Sequence, residues 1–135
     1  GTFVIITALL AIVVQANQLT LLERCASMAT QLEQQLPKVT IINDNACNLG
    51  RSCLVGKQYD LIISSLPLLS MSAHHRTPII SAINSALTCG GSIIQFTYAL
   101  FKPTGFERLP NITKTHSKIV LLNLPPARVD VLKKT

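Results

Sequence analysis

Short apolar runs alternate with one-sided apolar stripes along this chain. Residues 19–22 form a mainly apolar run that ends at Glu23, as a buried strand does. Residues 25–36 instead place apolar side chains at Cys25, Met28, Ala29, Leu32 and Leu36. That is the spacing of one helix face, and Pro37 stops the helix. Residues 39–42 predict a β-branched strand ending at Asn43-Asp44, and residues 45–57, with Gly50 and Gly56, a loop holding one helical turn. Residues 59–63 predict a third strand, apolar apart from Asp60, which runs into Ser64-Ser65-Leu66-Pro67.

Thr77-Pro78 predicts the next helix start, with Thr77 as N-cap and Pro78 at the first helical position. Ile79, Ile80, Ile83, Ala86 and Leu87 form its apolar stripe, and Gly90-Gly91 its end. Residues 92–98 predict a strand. Residues 99–115, with Pro103, Gly105 and Pro110, predict irregular chain. Residues 118–124 and 128–132 predict two closing strands, broken by Pro125-Pro126. Alternation of this kind builds a parallel α/β sheet with helices on both faces, its apolar strands buried on both sides. The last two strands have no helix between them, so an antiparallel hairpin is expected at one edge.

The strongest apolar run, residues 3–14, is too short to span a bilayer, which needs about 20 residues. No basic stretch precedes it and no small-x-small site follows, so a buried helix or strand is expected rather than a signal peptide. The whole chain has 135 residues, an apolar fraction of 48% and only 13% charged residues, which excludes disorder as its main state. Seven Pro and six Gly exclude a coiled coil. Twelve Lys and Arg face six acids. A basic surface suits nucleic acid, anionic lipid or a phosphorylated substrate, but here the cations are scattered singly. Cys25, Cys47, Cys53 and Cys89 include no CxxC pair, so no metal site is expected, only reduced and mostly buried thiols.

Ligands of open α/β sheets bind beyond the carboxyl ends of the strands. Glu23, Asp44 and Ser64-Ser65 stand at three such ends and are expected to line one rim. The same residue types also suit caps and turns, so both readings stand at this point.

With those residues in place the sequence resembles class I S-adenosylmethionine-dependent methyltransferases, a Rossmann-like α/β family. It looks most like the bacterial phospholipid (phosphatidylethanolamine) N-methyltransferases, relatives of the rRNA adenine dimethyltransferases. Gly1-Thr2-Phe3-Val4-Ile5-Ile6-Thr7-Ala8-Leu9-Leu10 resembles the second half of the glycine-rich cofactor motif and its helix. Leu19-Thr20-Leu21-Leu22-Glu23-Arg24 resembles the strand ending in the ribose-binding acid, and Asn43-Asp44-Asn45-Ala46 the adenine motif. Tyr59-Asp60-Leu61-Ile62-Ile63-Ser64-Ser65-Leu66-Pro67-Leu68 resembles the fourth motif. Gly90-Gly91-Ser92-Ile93-Ile94-Gln95-Phe96-Thr97-Tyr98 and Asn123-Leu124-Pro125-Pro126-Ala127-Arg128-Val129 resemble the fifth strand and closing hairpin of the phospholipid enzymes. The chain opens on Gly1 rather than Met, so the resemblance implies one domain over residues 1–135 that lacks its first strand. Phe3 stands where the family has glycine, and its Cβ crowds the backbone's approach to the cofactor.

The resemblance implies S-adenosylmethionine as cofactor, held by Gly1, Thr2, Glu23, Arg24, Asp44, Asn45, Ala46 and Ser64. Glu23 would accept from the ribose hydroxyls and Asp44 from the adenine amino group. Ser65, Leu66 and Pro67 would hold the acceptor amine in line with the methyl group, so that catalysis is mainly positioning. Leu68 replaces the family's base-stacking aromatic, which favours a lipid amine over a purine. The implied partner is a phospholipid head group, and the implied location is cytoplasmic, with peripheral contact at the inner face of the membrane as one form of it. Tyr98 is the candidate substrate residue, because an aromatic face attracts a methylated ammonium. Phe96, Phe101 and Phe106 lie close to it in sequence and equally suit a core or a lid. Asp60, His74 and His75 are assigned to structure or surface. Two other readings stand beside the lipid enzyme: an rRNA adenine N6-dimethyltransferase, and a degenerate, non-catalytic module of the same fold.

Overall fold

A computed structural model describes residues 15–53, 55–122 and 124–135. The 3–14 run, Gly1 and Thr2 lie outside the described residues. Contacts divide the chain into two compact units, Gly1–Asn48 and Leu49–Thr135.

In the first unit, β1 (Thr20–Glu23) and β2 (Thr40–Asn43) pair in parallel, with Leu21 opposite Ile41 and Glu23 opposite Asn43. The crossover between them is α1 (Ala26–Gln35), which buries Ala29 and Leu32. Leu36 closes the helix by donating its N–H to the Leu32 carbonyl, and Pro37 follows as the breaker. This is the strand–helix–strand unit that the sequence pattern predicts.

In the second unit, β3 (Tyr59–Ser64) pairs in parallel with β4 (Leu87–Thr97). β6 (Ala127–Lys134) lies antiparallel between β4 and β5 (Ile112–Val120), giving the order β3-β4-β6-β5. The expected closing hairpin is therefore present, with β5 at the edge. The crossover helix is α2 (Ala73–Ala86), whose stripe of Ile79, Ile80, Ile83 and Ala86 joins Leu87, Ile93, Phe106 and Leu132 in the core.

Several boundaries differ from expectation. Helix α2 starts at Ala73 with Ser72 in the N-cap position, so Thr77 is not a cap and Pro78 lies inside the helix. The first turn is formed without it, since Arg76 N–H already bonds the Ser72 carbonyl. Pro78 then removes only one later bond. Gly90-Gly91 does not end the helix. The helix passes straight into β4, and the glycines sit in a bulge between the pairs Tyr59–Leu87 and Leu61–Ser92. Gly90 takes φ +82°, and a Cβ on Gly91 would stand 2.8 Å from Leu87 Cδ1 and 2.9 Å from the Thr88 carbonyl oxygen.

The region expected to be irregular contains the start of β5 at Ile112, and the chain turns at Leu121 and Leu122 instead of continuing that strand. Burial on both faces is also not general. From Gly91 to Phe96 β4 alternates buried and half-buried positions, whereas β3, which ends its four-stranded sheet, exposes Leu61. Cys25 and Cys89 are exposed and Cys47 half-buried, so these three thiols are not the buried ones expected. No helix among the described residues is long and apolar enough to cross a membrane.

Candidate functional site

The carboxyl end of β1 is locked by Asn43. Its Nδ2 donates to the Glu23 carbonyl oxygen at 2.8 Å and to that of Arg24 at 3.0 Å, and Asp44 N–H donates to Glu23 O at 3.2 Å. The half-buried Glu23 carboxylate then turns toward α1, where Oε1 accepts the Cys25 N–H at 2.7 Å. That bond satisfies a backbone donor at the helix start, the structural role such an acid can fill. Oε2 has no protein partner among the described residues, which leaves one acceptor oxygen open at the strand end.

Asp44 builds the next turn. Its Oδ1 accepts from Asn45 N–H at 2.7 Å and from Asn48 Nδ2 at 2.8 Å, and Asn45 Oδ1 accepts from Cys47 N–H at 2.9 Å. Ala46 is buried within this turn. Both capping and turn roles weighed for Glu23 and Asp44 are thus realised. Arg24 is exposed. Beside Glu23, the Cys25 thiol lies 3.2 Å from Ser27 Oγ. That hydroxyl, and next the Met28 backbone N–H, favour the thiolate and hold the thiol below its ordinary value.

The loop after β3 belongs to the second unit and has its own lock. Ser64 is buried, and its Oγ accepts from Leu66 N–H at 3.3 Å. Pro67, at φ −77° and ψ 63°, sits at the centre of an inverse γ-turn in which Leu68 N–H reaches the Leu66 carbonyl at 2.8 Å. The same carbonyl accepts Gln95 Nε2 at 3.0 Å. Both lone-pair directions of Leu66 O are therefore taken, and this carbonyl is not available to hold an amine. Ser65 is exposed, and its hydroxyl has no protein partner among the described residues. Glu23 and Asp44 lie in one unit and Ser64 to Pro67 in the other, and each cluster stands at the carboxyl end of its own strand.

Tyr98 and Phe101 are exposed, Phe96 is half-buried and Phe106 is fully buried, so the four nearby aromatics form no single group. Asp60 accepts a hydrogen bond from Thr88 Oγ1 at 2.9 Å, the structural role assigned to it.

The sequence pattern did not single out three further features. Gln95 is fully buried, and it is the register partner of Ser64. Arg128, also buried, donates to the Leu100 and Lys102 carbonyls at 2.8 Å each and pairs with buried Asp130 at 2.9 Å. A groove of about 290 Å³ between α2 and the turn at 105–109 is lined by Arg76, Thr77, Ile80, Ser81, Gly105 and Arg108. Gly105, at φ +111°, lets the turn cross Ile80, because a Cβ there would come within 2.7 Å of Ile80 Cδ1. Neither Arg76 nor Arg108 has an acidic partner among the described residues. A polar residue in an apolar strand was the available signal for Gln95; the groove left none, since its residues are far apart in sequence.

No family model and no curated protein matches the sequence. Solved structures do. TrmN from Thermus thermophilus aligns with a TM-score of 0.68 and 18% identity, over 86% of this chain and 36% of that one. N-methyltransferase NodS from Bradyrhizobium japonicum, in complex with S-adenosyl-L-homocysteine, aligns with a TM-score of 0.70 and 8% identity, over 85% and 65%. An rRNA methylase from Streptococcus thermophilus gives a TM-score of 0.60 and 18% identity, over 85% and 72%. The chain therefore spans 36% of TrmN and 65% of NodS, short of two-thirds in both. At these identities the likeness concerns architecture, and the chain has the Rossmann-like α/β fold of S-adenosylmethionine-dependent methyltransferases.

Proposed function

We propose that residues 1–135 belong to an S-adenosylmethionine-dependent N-methyltransferase that methylates a phospholipid head-group amine. The observation that carries this reading is the rigid turn directly after β3, where Gln95 and Leu68 fix Leu66 and leave the Ser65 hydroxyl exposed. A preorganised polar group at the carboxyl end of a parallel strand suits a reaction in which the protein mainly positions its substrate. The cofactor supplies an electrophilic methyl group when bound. The open oxygen of Glu23 fits a ribose diol, because a carboxylate only accepts and one of its oxygens is already anchored. The turn from Asp44 to Ala46 suits the adenine edge, and Ser64 supports the cofactor side of the loop. With the Leu66 carbonyl occupied, Ser65 Oγ is the group in this loop that accepts from the amine, and Leu66 and Pro67 act by shaping the turn.

The basic groove at Arg76 and Arg108 suits a phosphate-bearing substrate, whether lipid or RNA. Among the described residues no aromatic side chain lines it, and Leu68 rather than an aromatic follows Pro67, which removes the stacking surface that single-stranded bases use there and favours the lipid. NodS, an N-methyltransferase, supports nitrogen as the acceptor atom, while the rRNA methylase keeps RNA as the second reading. Titration calorimetry with S-adenosylhomocysteine, followed by methyl transfer to phosphatidylethanolamine or to RNA, tests both. Cofactor binding with transfer to the lipid is the expected result. Transfer to RNA alone supports the second reading, and no cofactor binding leaves the fold as a non-catalytic module.

A further inference from the structure

Leu121, Leu122 and Leu124, between β5 and β6, carry apolar side chains in water. Leu122 is 98% exposed, Leu124 92% and Leu121 72%. The segment that leaves β4 adds Phe101, 87% exposed, and Tyr98, 67% exposed. Register places the two segments at the same end of the sheet, because Thr97 pairs with Arg128 and Val120 with Ala127. Parallel strand β4 also has its carboxyl end here. The display of Phe101 is built. Arg128, pinned by Asp130, holds the carbonyls on either side of it, those of Leu100 and Lys102.

Single exposed leucines need no explanation, but three beside two exposed aromatics at one sheet end do. We propose that this end is a docking face for an anionic phospholipid bilayer, its apolar tips entering the acyl boundary and its lysines meeting head-group phosphates. Charge argues for that occupant. The unit Leu49–Thr135 carries ten Lys and Arg against three acids. Two of those acids, Glu107 and Asp130, are already matched by Lys114 and Arg128. Lys102 and Lys118 flank the apolar tips and have no acidic partner among the described residues. A second copy would bring the same positive field against itself, whereas an anionic leaflet attracts it. Tyrosine also suits the head-group level of a membrane.

This inference deepens the lipid reading and rests on it for the substrate, but its test needs neither cofactor nor catalysis. The chain is sedimented with vesicles of phosphatidylcholine, with and without phosphatidylglycerol. It is expected to pellet with the anionic vesicles. A Leu122→Ser/Leu124→Ser variant should bind at least about tenfold more weakly. Lys118→Gln should weaken binding about fivefold, and added salt should mimic it. All three positions are exposed, so the circular-dichroism melt should not change. Phe101→Ser serves as a second variant if it does. Failure of the wild type to bind anionic vesicles, undiminished binding by both variants, or a dimer that the leucine substitutions dissociate would each overturn the proposal. A chain that binds vesicles but transfers no methyl group keeps the docking face and loses the enzyme reading. Methylation of soluble glycerophosphoethanolamine without vesicle binding does the reverse.

Discussion

The side-chain amide of Gln95 bonds the main-chain carbonyl of Leu66 at 3.0 Å, across the end of β3. Its register partner is Ser64, so the side chain needs to reach only two residues past the strand. Nε2 also donates to the Phe96 carbonyl at 2.8 Å, whereas Oε1 is buried without a hydrogen-bond partner among the described residues. Gln95→Met should therefore lose only what Nε2 contributes. A stability loss of about 1–2 kcal/mol is expected in urea unfolding. Methyl transfer at low urea should fall by more than the folded fraction does, because the freed Leu66 turn no longer holds Ser65 in one place. Equal losses in both measurements would reduce Gln95 to a packing residue.

The strand–helix–strand order was legible because buried strands and one-sided helices leave different apolar periods. The misread positions share a cause: the same local signal serves two structures. Pro78 is favoured at a helix start but tolerated a turn later when the earlier bonds form without it. Gly90-Gly91 suits a helix stop and equally a bulge. β5 was half-missed because Thr113 to Val120 are all exposed, so no apolar alternation marks them. The candidate residues Glu23, Asp44 and Ser65 were legible as polar groups at strand ends. Their restraints were not, since Asn43 and Gln95 act through backbone carbonyls whose positions only the folded chain defines.

Glu23→Gln tests the ribose reading. Glutamine keeps an oxygen for the Cys25 N–H, so the melt should barely move. The open carboxylate oxygen becomes a neutral amide, and charge-assisted acceptance is lost. Affinity for S-adenosylhomocysteine should fall about 10- to 100-fold by calorimetry. Unchanged affinity would return Glu23 to its role at the start of α1.

Cys25 provides a chemical readout at the same place. The Ser27 hydroxyl, foremost, and the Met28 backbone N–H hold its thiol below the ordinary value, so more thiolate is present near neutral pH. Ser27→Ala should move the pH profile of iodoacetamide alkylation at Cys25 upward and slow the reaction a few-fold at neutral pH, followed by peptide mass spectrometry. A nucleoside held at Glu23 should shield the thiol two residues away, so S-adenosylhomocysteine should protect it in the wild type and not in Glu23→Gln.

Asp130 is fully buried against Arg128, with bonds of 3.1 Å from Nε and 2.9 Å from Nη2, and accepts Ser117 Oγ at 2.6 Å. Asp130→Asn keeps the shape and strands the guanidinium in the core. A loss of about 3–5 kcal/mol in urea unfolding is expected. Removing both charges, as Arg128→Met/Asp130→Leu, should cost less than Asp130→Asn alone, because no uncompensated ion remains. The double variant should nevertheless lose vesicle binding, since the Leu100 and Lys102 carbonyls no longer have the clamp that displays Phe101.

Glu107 sets a pH dependence. Burial alone would raise its carboxyl. Its own backbone N–H, that of Gly105 and the Lys114 ammonium 3.3 Å away outweigh burial and hold it below the ordinary value. A carboxyl depressed by folding stabilises the native state at pH above its unfolded value, about 4.3. That contribution is lost as pH falls through the lower, folded value. Glu107→Gln should thus be less stable than the wild type at neutral pH. The two urea midpoints should converge as pH falls through that lower, folded value and the wild-type carboxyl is protonated. Thr104 Oγ1 also bonds Glu107 Oε2 at 3.2 Å, and glutamine can keep that contact through its own oxygen. The neutral-pH difference therefore reports the charge, and a gap that persists in acid would assign it to packing.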